Sequence, residues 1–285
     1  MNTTQWNILY RGALDSCNYD CPYCPFAKKK NTREELSLDR QSLERFTHWV
    51  ASREETINIL LTPWGEGLIR SYYQKAMIDL SHMKQVTKIA IQTNLSCSLQ
   101  WIDEVDKDAF ALWITYHPNE VAFEDFVSKC NILIEKGIAF SIGVVGVKDH
   151  FEAIERLQKE ITERYIWINA YKREENYYSA SEEKWLSSID TLFPYNNKVY
   201  DTKGKKCKAG HTSFSVAGNG DVYPCHFIKN KIGNLYQDTI ESFLKPTTCI
   251  NTHCRCYIGY MNLEELALGD VYGDKILERI PLTFK

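Results

Sequence analysis

Cys17-Asn18-Tyr19-Asp20-Cys21-Pro22-Tyr23-Cys24 places three thiols within eight residues, spaced CxxxCxxC, with an aromatic residue just before the last. Three thiolates in one short loop can hold three irons of a [4Fe–4S] cluster, whose irons take Cys ligands. Three is one fewer than the four irons need, so the fourth iron stays open to an outside ligand. A zinc site would instead call for paired CxxC elements with a further Cys or His at matching range.

Upstream and downstream of this loop, the first 171 residues repeat one pattern. Apolar, β-branched or aromatic runs recur at Trp6–Tyr10, Ile57–Leu61, Thr87–Gln92, Ala111–Tyr116, Ala139–Val147 and Tyr165–Ala170. Helix-period patterns lie between them: Leu43, Phe46, Trp49 and Val50 in one, and Phe123, Phe126, Val127, Cys130, Leu133 and Ile134 in another. Gly137 follows the second at a C-cap position. Strands alternating with helices predict parallel βαβ units and an α/β fold. Six units suit an incomplete (β/α)6 barrel. Chemistry in parallel barrels gathers at the C-terminal ends of the strands. There the sequence places the cysteine loop, then Thr62-Pro63-Trp64-Gly65-Glu66-Gly67, Gln92-Thr93-Asn94, Thr115-Tyr116-His117-Pro118, Gly143 to Gly146 and Asn169-Ala170-Tyr171-Lys172.

Composition agrees with a soluble globular chain. The 285 residues are 44 % hydrophobic and 25 % charged, with a net charge of −3. Nothing marks a nucleic-acid surface or a membrane patch, and no apolar run approaches the ~18 residues of a membrane span. The start, MNTTQWNILYRG, lacks the basic and apolar regions of a secretory signal. Ten cysteines in such a chain point to a reducing cytoplasm, where thiols bind metal rather than pair. Eight of them fall at 17–24 and 207–256. Cys130 reads as a small core residue and Cys97 as a structural one.

The cysteine loop and the strand-end clusters together resemble the radical S-adenosylmethionine (SAM) superfamily. That resemblance implies a SAM chelated by its amino and carboxylate groups to the open iron. It also implies reductive cleavage to a 5′-deoxyadenosyl radical, with flavodoxin or ferredoxin as electron donor. Gly65-Glu66 resembles the family's GGE segment, with Trp64 in place of the first glycine, so Glu66 or a nearby carbonyl would accept from the SAM ammonium. Tyr23 matches the aromatic position beside the adenine. Asn94, Thr115, Gly146 and Asn169 stand where the family contacts SAM, and His117 and Tyr171 are the candidates for contact with the substrate.

After residue 172 the pattern changes. Residues 173–206 are polar and tyrosine-rich, with a helix predicted over Ser181–Leu192. Cys207 then precedes Gly220 by twelve intervening residues and Cys225 follows after four more, around a hairpin turn at Gly218-Asn219-Gly220. With Ile232-Gly233-Asn234-Leu235, the segment 207–260 resembles the first half of a SPASM domain, or its shortened twitch form, which carries an auxiliary [4Fe–4S] cluster. Cys249, Cys254 and Cys256 follow. Five cysteines are available for four irons: Cys207, Cys225 and Cys254, completed by Cys249 or Cys256. A zinc ribbon is the alternative. The tail 261–285 is expected to pack back on the barrel. Twitch relatives suggest oxidation of a small polar molecule, the auxiliary cluster taking an electron after hydrogen abstraction. The alternatives are a maturase acting on a ribosomal peptide, by thioether, cross-link or epimerisation chemistry, and a non-enzymatic electron carrier or sensor.

Overall fold

The computed structural model describes residues 5–273 and 279–284. Of the tail segment 261–285, residues 274–278 and 285 lie outside the described residues. Strands β1 (Gln5–Arg11), β2 (Thr56–Leu61), β3 (Val86–Thr93), β4 (Phe110–Tyr116), β5 (Ala139–Val145) and β6 (Ile166–Asn169) alternate with α1 (Arg33–Ala51), α2 (Ser71–Ser81), α3 (Phe123–Glu135) and α4 (Phe151–Glu160). The step from β3 to β4 departs from the expected repeat. It carries only a 3₁₀ turn, Gln100–Glu104.

The six strands run parallel in chain order, each hydrogen-bonded to the next. Parallel strands covered on both faces read as near-continuous apolar runs, and β4 shows how the faces divide. Phe110, Leu112, Ile114 and Tyr116 pack in the core under the helices. Ala111 and Trp113 turn to the opposite face, where Leu9, Leu60, Ala90 and Trp167 form a second apolar layer. Helix α1 starts on a capping box, in which the Thr32 hydroxyl accepts from Glu35 N and the Glu35 carboxylate accepts from Thr32 N.

The sheet is open, and β6 is one edge. The other side does not end at β1. Strand β9 (Ser213–Ala217) pairs parallel with β1 from Asn7↔Ser213 to Arg11↔Ala217. It turns back at Gly218–Gly220 into antiparallel β10 (Asp221–Tyr223), which pairs with β11 (Gly233–Asn234). Gly220 has φ +86 there, and a Cβ would lie 2.4 Å from the Tyr236 ring, so this turn position needs glycine. The hairpin read from the sequence thus extends the barrel sheet.

Between the two parts lie α5 (Ala180–Ile189), shorter than the Ser181–Leu192 expectation at its end, and α6 (Phe193–Asn196). Asp190 stops α5. Its carboxylate accepts from Tyr165 Oη at 2.5 Å, Leu192 N at 2.9 Å and Ile168 N at 2.8 Å, tying the chain to β6. Two-residue strands β7 (Tyr200–Asp201) and β8 (Lys206–Cys207) pair with β13 (His253–Cys254) and β12 (Thr247–Thr248) respectively. Helices α7 (Tyr257–Tyr260) and α8 (Leu268–Tyr272) then bring the tail under the second apolar layer. Among the described residues no helix is long and apolar enough to cross a membrane.

Candidate functional site

The cysteine loop leaves β1 and is laced down on both sides. Asp39, fully buried on α1, accepts from Ala13 N at 2.7 Å and Leu14 N at 3.0 Å with one oxygen and from Tyr72 Oη at 2.9 Å with the other. Trp64 N donates to Leu14 O and Glu66 N to Ser16 O, so the β2 loop runs against the residues just before Cys17. That approach is close. A Cβ on Gly65 would stand 1.9 Å from Ser16 O, and only glycine permits it. Cys24 N donates to Cys21 O, closing the turn that turns both thiols to one side.

Cys17, Cys21 and Cys24 line a cavity of about 630 Å³ at the C-terminal ends of the strands. Tyr23, Gly65, Glu66, Asn94, Thr115, His117, Asn169 and Tyr171 line it with them. Gly146 does not. A Cβ there would lie 2.7 Å from Tyr178 Oη, and that hydroxyl donates to Gly146 O while accepting from Tyr171 N. This glycine lets Tyr178 join the ends of β5 and β6. Gly143 likewise makes room for Trp167, whose ring a Cβ would meet at 2.0 Å.

Glu66 is buried, and its carboxylate is already occupied. It accepts from Leu68 N at 3.0 Å and Thr93 Oγ1 at 2.8 Å on one oxygen, and from Asn94 N at 2.6 Å on the other. Burial pushes its carboxyl up, and the three donors pull it back. Glu66 therefore ties the β2 loop to the end of β3 while it lines the cavity. Asn94 in turn donates to Asn18 Oδ1 at 3.2 Å beside Cys17. His117 Nδ1 lies 3.2 Å from Cys21 Sγ and 2.8 Å from Tyr23 Oη, with the Tyr23 ring stacked on the imidazole. Burial and His150 push His117 down to about 4, so its ring is neutral. Burial raises the Cys21 thiol to about 11. A thiol so placed gives up its proton when a metal binds.

The C-terminal cysteines divide. Cys207, Cys225, Cys249 and Cys254 line one cavity of about 420 Å³. Cys256 opens instead on the large cavity. The four thiols line the smaller cavity together with Ala209, Ile228 and Leu263. Pairing of β8 with β12 fixes Cys207, and pairing of β13 with β7 fixes Cys254. Cys249 N donates to Lys205 O, and Gly259 leaves the space that the Cys254 sulfur fills. Burial raises the thiols of Cys207, Cys225 (to about 11) and Cys254 (to about 12).

Residues 207–251 match the family model of SPASM, an iron–sulfur cluster-binding domain. The chain also superposes on the solved structure of native anSMEcpe with bound AdoMet and Cp18Cys peptide, at TM-score 0.56 and 16% identity, covering 84% of this chain and 80% of that one. Native anSMEcpe with bound AdoMet gives TM-score 0.55 and 17% identity over the same shares. The fold is that of the radical SAM enzymes. No curated protein sequence matches the chain.

On this radical SAM fold, several cavity residues escape a reading of the sequence. Arg11, at the end of β1, donates to Thr62 Oγ1 at 3.1 Å and lies 3.9 Å over the Trp64 ring. Lys172 donates to Asn196 O and Tyr260 Oη. Arg279, from the tail, is 3% exposed and lies over Trp113, Trp167 and Tyr257 at 4.3, 4.1 and 3.8 Å. Of these, Lys172 stood in the strand-end cluster read from the sequence, whereas Arg11, just past the Trp6–Tyr10 run, and Arg279 were not singled out.

Proposed function

We propose that the chain works as a radical SAM enzyme on a small polar substrate, with Cys17, Cys21 and Cys24 holding one [4Fe–4S] cluster and Cys207, Cys225, Cys249 and Cys254 holding another. When bound, these groups and SAM supply a 5′-deoxyadenosyl hydrogen abstractor and an electron acceptor. The chain's own residues bind, orient and enclose. Asp39, Gly65, Glu66 and Asn94 hold the first cysteine loop in place, and Tyr23, Thr115 and Asn169 line the wall where SAM and the substrate meet. His117 keeps a neutral ring against Cys21. Flavodoxin or ferredoxin is the expected electron donor.

The observation that carries the reading is the division of the cysteines between two cavities. Three loop thiols face the space at the strand ends, and four others face a separate one, Cys207, Cys225 and Cys249 within the SPASM match and Cys254 just beyond it. Cys256 shares the first space, but its charged neighbours are Arg11, Lys172 and Arg279. A cavity of about 630 Å³ is within the range of small-molecule sites. A peptide substrate is the second reading, favoured by the peptide bound in the anSMEcpe structure.

Anaerobic reconstitution tests the proposal. Wild-type protein should carry about eight irons and convert SAM to 5′-deoxyadenosine under reduction; a Cys17→Ala/Cys21→Ala/Cys24→Ala variant should carry about four and make none. Four irons in the wild type, or zinc at the C-terminal cysteines, would remove the second cluster. Absence of 5′-deoxyadenosine from fully loaded protein would leave an electron carrier.

A further inference from the structure

Among the described residues, six cationic side chains line the large cavity against one carboxylate, Glu66, whose oxygens accept from groups inside the protein. Three of the cations, Arg11, Lys172 and Arg279, make up a wall that lines it beside Cys256. None has a carboxylate in contact among the described residues. The partners of Arg11 are a hydroxyl and an indole. Lys172 has the oxygens of Asn196 and the Tyr260 hydroxyl. Arg279 has three aromatic rings, and the nearby Asp190 spends its oxygens on Tyr165, Leu192 and Ile168.

The wall also carries donors with nothing to donate to. Nε of Arg11, Nε of Arg279 and the indole nitrogens of Trp113 and Trp167 are buried without a hydrogen-bond partner among the described residues. All four residues line this cavity. A buried donor left unmade costs free energy comparable to a lost hydrogen bond, and a buried unpaired charge costs more. Cations and unmet donors on one wall, with no free carboxylate in contact with them among the described residues, are what an anion requires. Arg matches the planar geometry of carboxylate and phosphate.

We infer that this wall binds a carboxylate or phosphate group of the substrate, so that the enzyme acts on a small anionic molecule held between Arg279, Arg11 and the two indoles. The inference rests on the radical SAM reading for what is then done to that molecule, while the wall itself is a binding site in either case. A substrate anchored here would place its uncharged remainder toward the strand ends, where Thr115, Asn169 and the first cysteine loop lie.

Calorimetric titration of reconstituted protein with inorganic phosphate and with acetate, each with and without SAM, tests the site. Wild-type protein should bind at least one of the probes in the presence of SAM. Arg279→Gln should weaken that binding by about tenfold or more, the loss expected for one charged hydrogen bond. Arg279→Lys, which keeps the charge but not the planar fork, should fall between wild type and Arg279→Gln, and SAM affinity should be unchanged in both variants. If Arg279→Gln does not fold, Arg11→Gln decides by the same criterion. Wild type that binds neither probe, or variants that bind as wild type does, overturn the inference. So does SAM abolishing the binding, because the wall would then hold the carboxylate of SAM itself. Anion binding without any 5′-deoxyadenosine formation would leave the site standing and remove the radical SAM reading.

Discussion

Cys17, Cys21 and Cys24 occupy one continuous loop pinned by the β2 loop through Trp64 N and Glu66 N, by Asp39 of α1 and by the Asn94 side chain. Cys207, Cys225, Cys249 and Cys254 are collected from separate short strands and turns over a much longer stretch of chain. The first set keeps its shape through the barrel that carries it. The second set is held by two-residue ladders, with few regular hydrogen bonds of its own. A cluster bound there would supply much of the local order, as metal binding commonly does in small modules. The difference also fits the coordination proposed for each, one position short in the first and complete in the second.

The sharpest break in that comparison is the fate of Cys256. Cys249→Ala should lose the second cluster, dropping the iron content of reconstituted protein by about four per chain, whereas Cys256→Ala should leave it near eight. The opposite pattern would put Cys256 in the ring and Cys249 outside it. Gly65→Ala comes next. Its Cβ has no room beside Ser16 O, so the loop must shift, and iron should fall toward about four with the second cluster spared. Equal loss at both sites would mean that the two are not independently built.

A smaller effect is expected for Glu66→Gln. The amide offers an N–H where the carboxylate meets donors, leaving a buried group unpaired at a cost of about 1.5–3 kcal/mol. Denaturant unfolding should show the lower midpoint, and an unchanged one would contradict the internal role of Glu66. The smallest effect concerns pH. Burial brings Lys172 down to about 8, countered by Cys256 and Cys254 and assisted by Arg279 and Arg255; Tyr260 and Asn196 are its hydrogen-bond partners. Below about 8 it carries its proton and attracts an anion; above, it becomes a neutral amine. Phosphate affinity should therefore fall severalfold between about pH 7 and pH 9, and Lys172→Met should flatten the profile.

The six parallel strands were legible because buried parallel strands leave long apolar runs, and β2, β4 and β6 lie within a residue or so of the runs read from the sequence. The cysteine loop was legible because its spacing is local. What stayed hidden is nonlocal. No residue in Ser213–Ala217 announces that its partner is β1, and nothing around Asp39 or Arg279 says what they reach. Glu66 was identifiable as a special residue, but its three donors come from three positions that only folding brings together. Gly146, expected at a ligand contact, instead stands against Tyr178 Oη, because a glycine that admits a tyrosine ring and one that admits a cofactor look alike in one dimension.

The pairing of β1 with β9 has a consequence for how the chain acquires its shape. Strand β1 completes its hydrogen bonding with a strand more than two hundred residues later in the chain. Contacts of such separation form slowly, because a long loop must be closed before they repay it. Until then one side of β1 is a bare sheet edge carrying Trp6, Ile8 and Tyr10, the kind of surface that recruits other chains. Truncations that end before residue 213 should therefore aggregate even though they contain every strand of the barrel.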